Sequence, residues 1–265
     1  MKLALLFLFT AIYHAIDTGA YAARLAGVRT GRPALAHSLY NVLALGARVA
    51  TMLSGTLLGN LADQAVAANN MTQLLWNYRV AILAATAGTL VAGLLIPTLS
   101  RLLAAGIQSY EQRHSFPRVI IRSASVRGLW RMRQQWTQPR LTKAIESRRS
   151  PFPKRFLLAS ILVMAIYTVA HFAALYASAL VPEGARTATS LSPLLTGTGV
   201  FLMTFFIDPI AALVSDEALR GQRPQRDVTY IIIWQVGARL MGTLLAQTLL
   251  VPAGLLLAMV TRWLI

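Results

Sequence analysis

The sequence predicts an all-α integral membrane protein of about six transmembrane helices. Three observations carry this: apolar runs of spanning length, little charge overall, and basic residues gathered between the runs. The 265 residues are 56% hydrophobic and 13% charged, with a mean hydropathy of +0.56, whereas a soluble domain carries about 25% charged residues. Runs of about 20 apolar residues are what a helix needs to cross a hydrocarbon core. Strand-period alternation with turn residues is absent, which argues against a transmembrane barrel. No cysteine occurs, so disulfides, thiolate metal sites and thiol catalysis do not arise.

Six spans are predicted, at residues 3–26, 34–61, 80–104, 156–181, 190–214 and 229–262. The opening MKLALLFLFTAIY has the basic residue and apolar run of a secretory signal, with an A-x-A pattern at Ala20–Ala22. Asp17 sits badly in such a segment, so it is read as an uncleaved first helix. The last span holds Pro252, where a break or a turn along the interface is expected.

The net charge of +16 would suit a nucleic-acid binder, but the basic residues lie between apolar spans, so they are read as topology signals and contacts to anionic lipid. Thirteen Lys/Arg and two acids, Glu111 and Glu146, lie between Ser100 and Arg155. A cytoplasmic position for that loop brings Arg24, Arg29 and Arg32 to the same side, with Arg220, Arg223 and Arg226. Both termini then face outward. Within the loop, Arg118, Arg122 and Arg133 among Val119, Ile120, Ile121, Leu129, Trp130 and Trp136 have the composition of an amphipathic surface segment.

The halves resemble each other at an offset of 154 residues. Ala11-Ile12-Tyr13 matches Ala165-Ile166-Tyr167, and Gly88-Thr89-Leu90 matches Gly242-Thr243-Leu244; Ser38-Leu39 matches Ser190-Leu191 at an offset of 152. Units of three spans must run in opposite directions, so the expected architecture is a 3+3 inverted-topology repeat. The expected divisions are a first membrane unit at 1–106, a basic loop at 107–155 and a second unit at 156–265.

Asp17, Arg48, Asp208 and Arg239 fall inside predicted spans, where an ionised group costs about 2.5–3.5 kcal/mol and turns toward a cavity or a partner. Their helical neighbours are polar too. His14, Asp17, Tyr21 and Arg24 form one stripe; His37, Asn41 and Arg48 form a second; Gln235, Arg239, Thr243 and Gln247 form a third. Two acids and two arginines could simply pair and tie helices together. Stripes of this length exceed what two pairs need, so a shared polar interior is expected. No zinc-binding pair, phosphate loop or nucleophile elbow appears, and the four histidines are scattered. An enzyme is therefore not the expected reading, and no metal or cofactor is expected.

The segment Ala20–Asp63, AYAARLAGVRTGRPALAHSLYNVLALGARVATMLSGTLLGNLAD, resembles the amino-terminal signature of the bacterial Amj family. These are the alternate lipid II flippases, unrelated in sequence to the larger MurJ type. The most specific stretch is RLAGVRTGR at Arg24–Arg32, followed by Ser38, Asn41 and Arg48. The second half resembles the family chiefly in hydropathy. The resemblance implies transfer of undecaprenyl-diphosphate-linked disaccharide-pentapeptide, lipid II, from the inner to the outer leaflet.

A diphosphate needs positive charge in a wet, protein-lined cavity. The expected substrate-binding residues are Arg24, Arg29, Arg32, Asn41, Arg48 and Arg239, with Arg29 and Arg32 at the cytoplasmic mouth. His14, Asp17, Tyr21, His37, Asp208, Gln235 and Gln247 are expected to line the cavity or couple its states by alternating access. Other partners are membrane lipids and, because six spans make a small enclosure for so large a head group, a second copy in a homodimer. Export of another prenyl-phosphate lipid or anion, a scaffold role and a lipid-modifying enzyme are the competing readings.

Overall fold

The computed structural model describes residues 2–113, 134, 136–138, 141–147 and 152–265. Among them the chain is all α-helical, and six helical segments are long and apolar enough to span a membrane. The first three spans are α1 (Lys2–Thr30), α2 (Pro33–Ala67) and α3 (Met71–Arg113). A short α4 (Leu141–Ser147) follows, then the fourth span α5 (Lys154–Leu180). The fifth span is segmented into a 3-10 turn (Pro182–Gly184), α6 (Ala185–Ser190), α7 (Ser192–Leu202), a π turn (Met203–Ile207) and α8 (Asp208–Leu219). The sixth is α9 (Gln225–Leu264).

Local sequence sets these limits. Gly31 takes a positive φ of 68° and ends α1, and Pro33 then opens α2, each in the position it suits best. The α8–α9 corner repeats the device, with Gly221 at φ 73° and Pro224 before Gln225. Asn70 Oδ1 accepts from the Gln73 backbone N–H and caps α3.

Three expectations are corrected. The third span was expected at 80–104 but the helix covers Met71–Arg113, because the polar residues at both ends interrupt hydropathy without interrupting helix propensity. The fifth was expected at 190–214 as a single helix kinked where Pro209 follows Asp208. Pro193 instead starts α7, and Pro209 lacks the N–H that Phe205 would need in an α ladder, so a π turn precedes α8. Pro252 does not end the sixth span: α9 runs through it to Leu264, as helices surrounded by other helices can. Trp136 is exposed, and the remaining residues of the expected amphipathic segment, from Arg118 to Arg133, lie outside the described residues.

The first three spans pack on one another, α1 chiefly on α3 and α2, while α9 packs chiefly on α5. Both main crossings use glycine. A Cβ on Gly88 would come 2.1 Å from the Ala11 carbonyl oxygen, and one on Gly242 would come 2.6 Å from Met164 Cβ and 3.0 Å from the Ala165 nitrogen. Backbones this close leave no room for a larger residue. Hydroxyl pairs add cross-ties: Thr10 with Ser54 between α1 and α2, and Thr86 with Thr243 between α3 and α9.

The two ends of the bundle differ. One end, here the terminal end, carries both chain termini and the α2–α3 and α5–α6 corners. It is filled by an apolar cluster including Leu58, Leu74, Tyr78, Phe172 and Leu250. The Tyr78 hydroxyl donates to the Leu58 carbonyl at 3.0 Å, and its ring meets Phe172 edge-on. The other, the basic end, carries the α1–α2 and α8–α9 corners and the approaches to the basic loop. Its core is a separate cluster around Ile107, Phe156, Ile207 and Ile231. There α4 is tied to α9 through Tyr230 to Glu146 and Trp234 to the Ser147 carbonyl.

Candidate functional site

A cavity of about 690 Å³ lies in the basic half. Its walls come from α1 (Asp17, Tyr21, Arg24, Val28), α2 (Pro33, His37, Tyr40), α5 (Met164, Tyr167), the π turn (Met203), α8 (Asp208, Ala212, Ser215, Asp216, Leu219) and α9 (Arg239). Asp17 and Arg239 are about 22 Å and 21 Å along their helices at 1.5 Å per residue, which puts the deep end near mid-membrane. The other end reaches Val28, Pro33 and Leu219, beside the two glycine corners. Although α2 and α8 both line the cavity, they do not pack closely on each other.

Two ion pairs organise the site. At the deep end Arg239 Nη2 donates to Asp17 Oδ2 at 3.0 Å, and the guanidinium lies over the Tyr167 ring, 5.9 Å from its centroid. The Arg239 side chain is only 7% exposed and Asp17 25%, so water screens this pair little; removing one partner of a buried pair costs about 3–5 kcal/mol. Arg239 Nε has no protein partner, leaving a donor free. Nearer the mouth, Arg24 donates to Gln235 Oε1 at 3.0 Å and reaches Asp208 Oδ1 at 3.4 Å. Asp208 is 41% exposed, so this second pair is longer, wetter and weaker.

Of the residues read from sequence, Arg24, Arg239, Asp17, Tyr21, His37 and Asp208 stand together on the cavity wall, and Gln235 is tied to Arg24. His14 is fully buried and hydrogen-bonds the Tyr13 hydroxyl at 2.9 Å, off the cavity wall. Arg29 turns to α3, donating to Ser100 Oγ at 2.7 Å. Arg32 pairs with Glu111 at 2.7 Å in an exposed position. Asn41 and Arg48 are exposed on α2 outside the cavity lining, with Arg48 within electrostatic reach of Tyr167. Gln247 lies in the terminal half, donating to the Arg79 carbonyl.

Tyr40 and Tyr167 are wall residues that the polar stripes did not include. Aromatic rings read as core, yet two signals were available: Tyr40 follows His37 by three residues, and Tyr167 is the repeat counterpart of Tyr13. Among the described residues no group of three or more His, Asp or Glu side chains is arranged to hold a metal.

The site has a buried arginine at its deep end, a second nearer the mouth, and aromatic and polar walls. That combination suits an amphiphile whose anionic group enters the protein while its apolar part stays in lipid. Comparison with known proteins gives a family. The Amj family, described as "Alternate to MurJ", matches residues 9–261. A Bacillus subtilis (strain 168) protein named "Lipid II flippase Amj" is 30% identical over 259 residues, covering 97% of this chain and 96% of the relative. No solved structure matches this chain. The chain belongs to the Amj family, whose named activity is that of a transporter, not a catalyst of covalent chemistry.

Proposed function

We propose that this member of the Amj family is a lipid II flippase of the bacterial cell membrane, carrying the undecaprenyl-diphosphate-linked disaccharide-pentapeptide to the outer leaflet by alternating access. The observation that carries this reading is the one-sided cavity with Arg24 and Arg239 on its wall, lined by α2 and α8 without close packing between them. The relative's name supplies the substrate. The diphosphate exchanges Arg24 away from Asp208, because that pair is the weaker, and is then drawn toward Arg239 at the deep end. A cavity of this size lies within the range of ligand pockets, about 300–1,000 Å³, so the peptide projects through the mouth while the prenyl chain stays in lipid between α2 and α8. Arg29, Arg32, Asn41 and Arg48 act at the approaches, attracting the anionic head group. His37, Tyr21, Gln235 and Asp208 set the cavity's shape and charge, and Asp17 holds Arg239 between turnovers.

The moving parts are two three-helix units, residues 1–106 and 156–265, related as an inverted repeat, with the loop at 107–155 in the cytoplasm and both termini outside. Support comes from the glycine crossings. Gly88 and Gly242 are 154 residues apart, and the backbones they lie against, at Ala11 and Ala165, are separated by the same 154. In this orientation the cavity faces the cytoplasm and the apolar cluster of the terminal end seals the outside. Rocking of one unit on the other exchanges which end is sealed.

The test is the appearance of lipid II on the cell surface when the cell's other flippase is shut off. This chain is expected to sustain it. Failure to do so, with binding of a different prenyl-phosphate lipid or anion instead, would replace the substrate assignment and leave the cavity as a transporter of that other species.

A further inference from the structure

The terminal half holds a polar cluster that capture at the basic end does not use. His171 on α5 places its Nδ1 3.3 Å from Ser192 Oγ on α7. Its Nε2 is buried and has no protein partner. That nitrogen points at Gly55 of α2, where a Cβ would come within 2.9 Å of it, so the absence of a side chain at Gly55 is what lets α2 close over the ring. Whichever tautomer the ring takes, Nε2 is left with nothing to bond to: a proton with no acceptor if Nδ1 accepts from Ser192, a lone pair with no donor if Nδ1 donates. A buried polar atom left unmet is costly, and such a group in a native fold calls for an explanation.

The repeat supplies one. The offset of 154 carries Asp17 onto His171, and the offset of 152 for the second and fifth spans carries Tyr40 onto Ser192 and Gly55 onto Ile207. In the basic half, Asp17 and Tyr40 line the deep end of the cavity, and Ile207 adjoins the cavity residue Asp208. The counterpart of an open polar site is therefore a closed polar site at the other end of the same bundle. The two differ in charge: the counterpart of Arg239 is Ala85, which is fully buried.

We propose that His171 and Ser192 form a second phosphate-contact site, shut in this conformation by Gly55, which receives the substrate's diphosphate when the terminal end opens. This rests on the inverted-repeat transport reading above. Its chemistry fits release: an imidazole N–H and a hydroxyl can bond phosphoryl oxygens, but with Ala85 in place of Arg239 no fixed arginine holds the anion. The basic-end site captures and the terminal-end site hands over.

The chain has no cysteine, so single cysteines report cleanly. His171→Ala, Ser192→Ala, His171→Gln and Arg239→Ala are each put into the full chain in vesicles. Lipid II transfer across the bilayer and lipid II binding are then measured. Separately, Ser192→Cys is treated with a membrane-impermeant maleimide from the terminal side, with and without lipid II. His171→Ala and Ser192→Ala are expected to cut transfer about tenfold or more while binding at the basic end is unchanged, and His171→Gln, which keeps a donor near the Nε2 position, to restore most of it. Ser192→Cys should become reactive during turnover. Native transfer by His171→Ala and Ser192→Ala, with Arg239→Ala dead, would overturn this site and leave the transport reading standing. Native transfer by Arg239→Ala as well would overturn the reading beneath it. If His171→Ala fails to accumulate, Ser192→Ala and the labelling decide, and a Ser192→Cys that never reacts sinks the proposal.

Discussion

The two ends of this bundle are built from the same helices and are lined in opposite ways. At the basic end α1, α2, α5, α8 and α9 stand apart around Arg24, Arg239, Asp17 and Asp208. At the terminal end α2, α3, α5 and α9 meet on Leu58, Leu74, Tyr78, Phe172 and Leu250. Apolar surface closes tightly because packing alone holds helices together in lipid. Paired charges cannot close so tightly, because each must keep a partner or water. The difference teaches where an anionic ligand can enter in this conformation: at the end where the polar groups hold one another loosely enough to let go.

The contrast can be broken most drastically at the helix crossings. Gly88→Leu and Gly242→Leu should each prevent stable assembly, since even a Cβ at either position would meet backbone or Cβ atoms at 2.1–2.6 Å. Gly59→Ala and Gly197→Ala, with nothing within 4 Å, should leave the melting temperature in detergent nearly unchanged. Equal melting of all four variants would mean that the crossings are not where the units are locked.

The ion pairs come next. Asp17→Ala leaves Arg239 buried and unpaired and should cost about 3–5 kcal/mol of stability, read as a lower unfolding midpoint. Asp17→Asn combined with Arg239→Gln removes both charges and should recover much of that stability while lipid II transfer stays absent. Arg24→Ala should act differently. Its pair is long and partly wet, so stability should change by about 1 kcal/mol or less, whereas lipid II affinity should fall about tenfold or more for the loss of a charge-assisted contact of about 1.5–3 kcal/mol.

The smallest effects belong to residues away from the wall. Gln247→Ala, in the terminal half, and Arg32→Ala, in an exposed pair with Glu111, should leave transfer within about twofold of native at physiological salt. Arg48→Ala falls between these and Arg24→Ala. A loss at Arg48 as deep as at Arg239 would mean that the path follows the exposed face of α2.

Much of this was legible in the sequence because the membrane makes polarity expensive. A charge such as Asp17 or Arg239 in an apolar run marks an interior face; the stripe on α1 puts Asp17, Tyr21 and Arg24 on the cavity wall, while those on α2 and α9 put only His37 and Arg239 there. Stripe membership did not give depth: Gln247 shares a face with Arg239 but sits two turns away, at the sealed end. Nor did it give the side of the helix at close range. Charge alone placed Arg29 at the mouth, but five residues from Arg24 it lies on another face of α1, where it turns to Ser100 while Arg24 turns to Asp208. The fifth span was legible only in part: Pro209 marks a kink after Asp208, but the break at Pro193 also acts through the backbone, which hydropathy does not register. Tyr40 and Tyr167 were hidden by counting aromatic residues as core.

The measurement that bears most directly on the polar cavity as the transport path uses cells whose other flippase is shut off and which carry Asp17→Asn with Arg239→Gln. The variant should reach native levels in the membrane and unfold near the native temperature, yet place no lipid II on the cell surface. Native surface lipid II from that uncharged pair would contradict the account, for the two charges would then serve only to hold helices together.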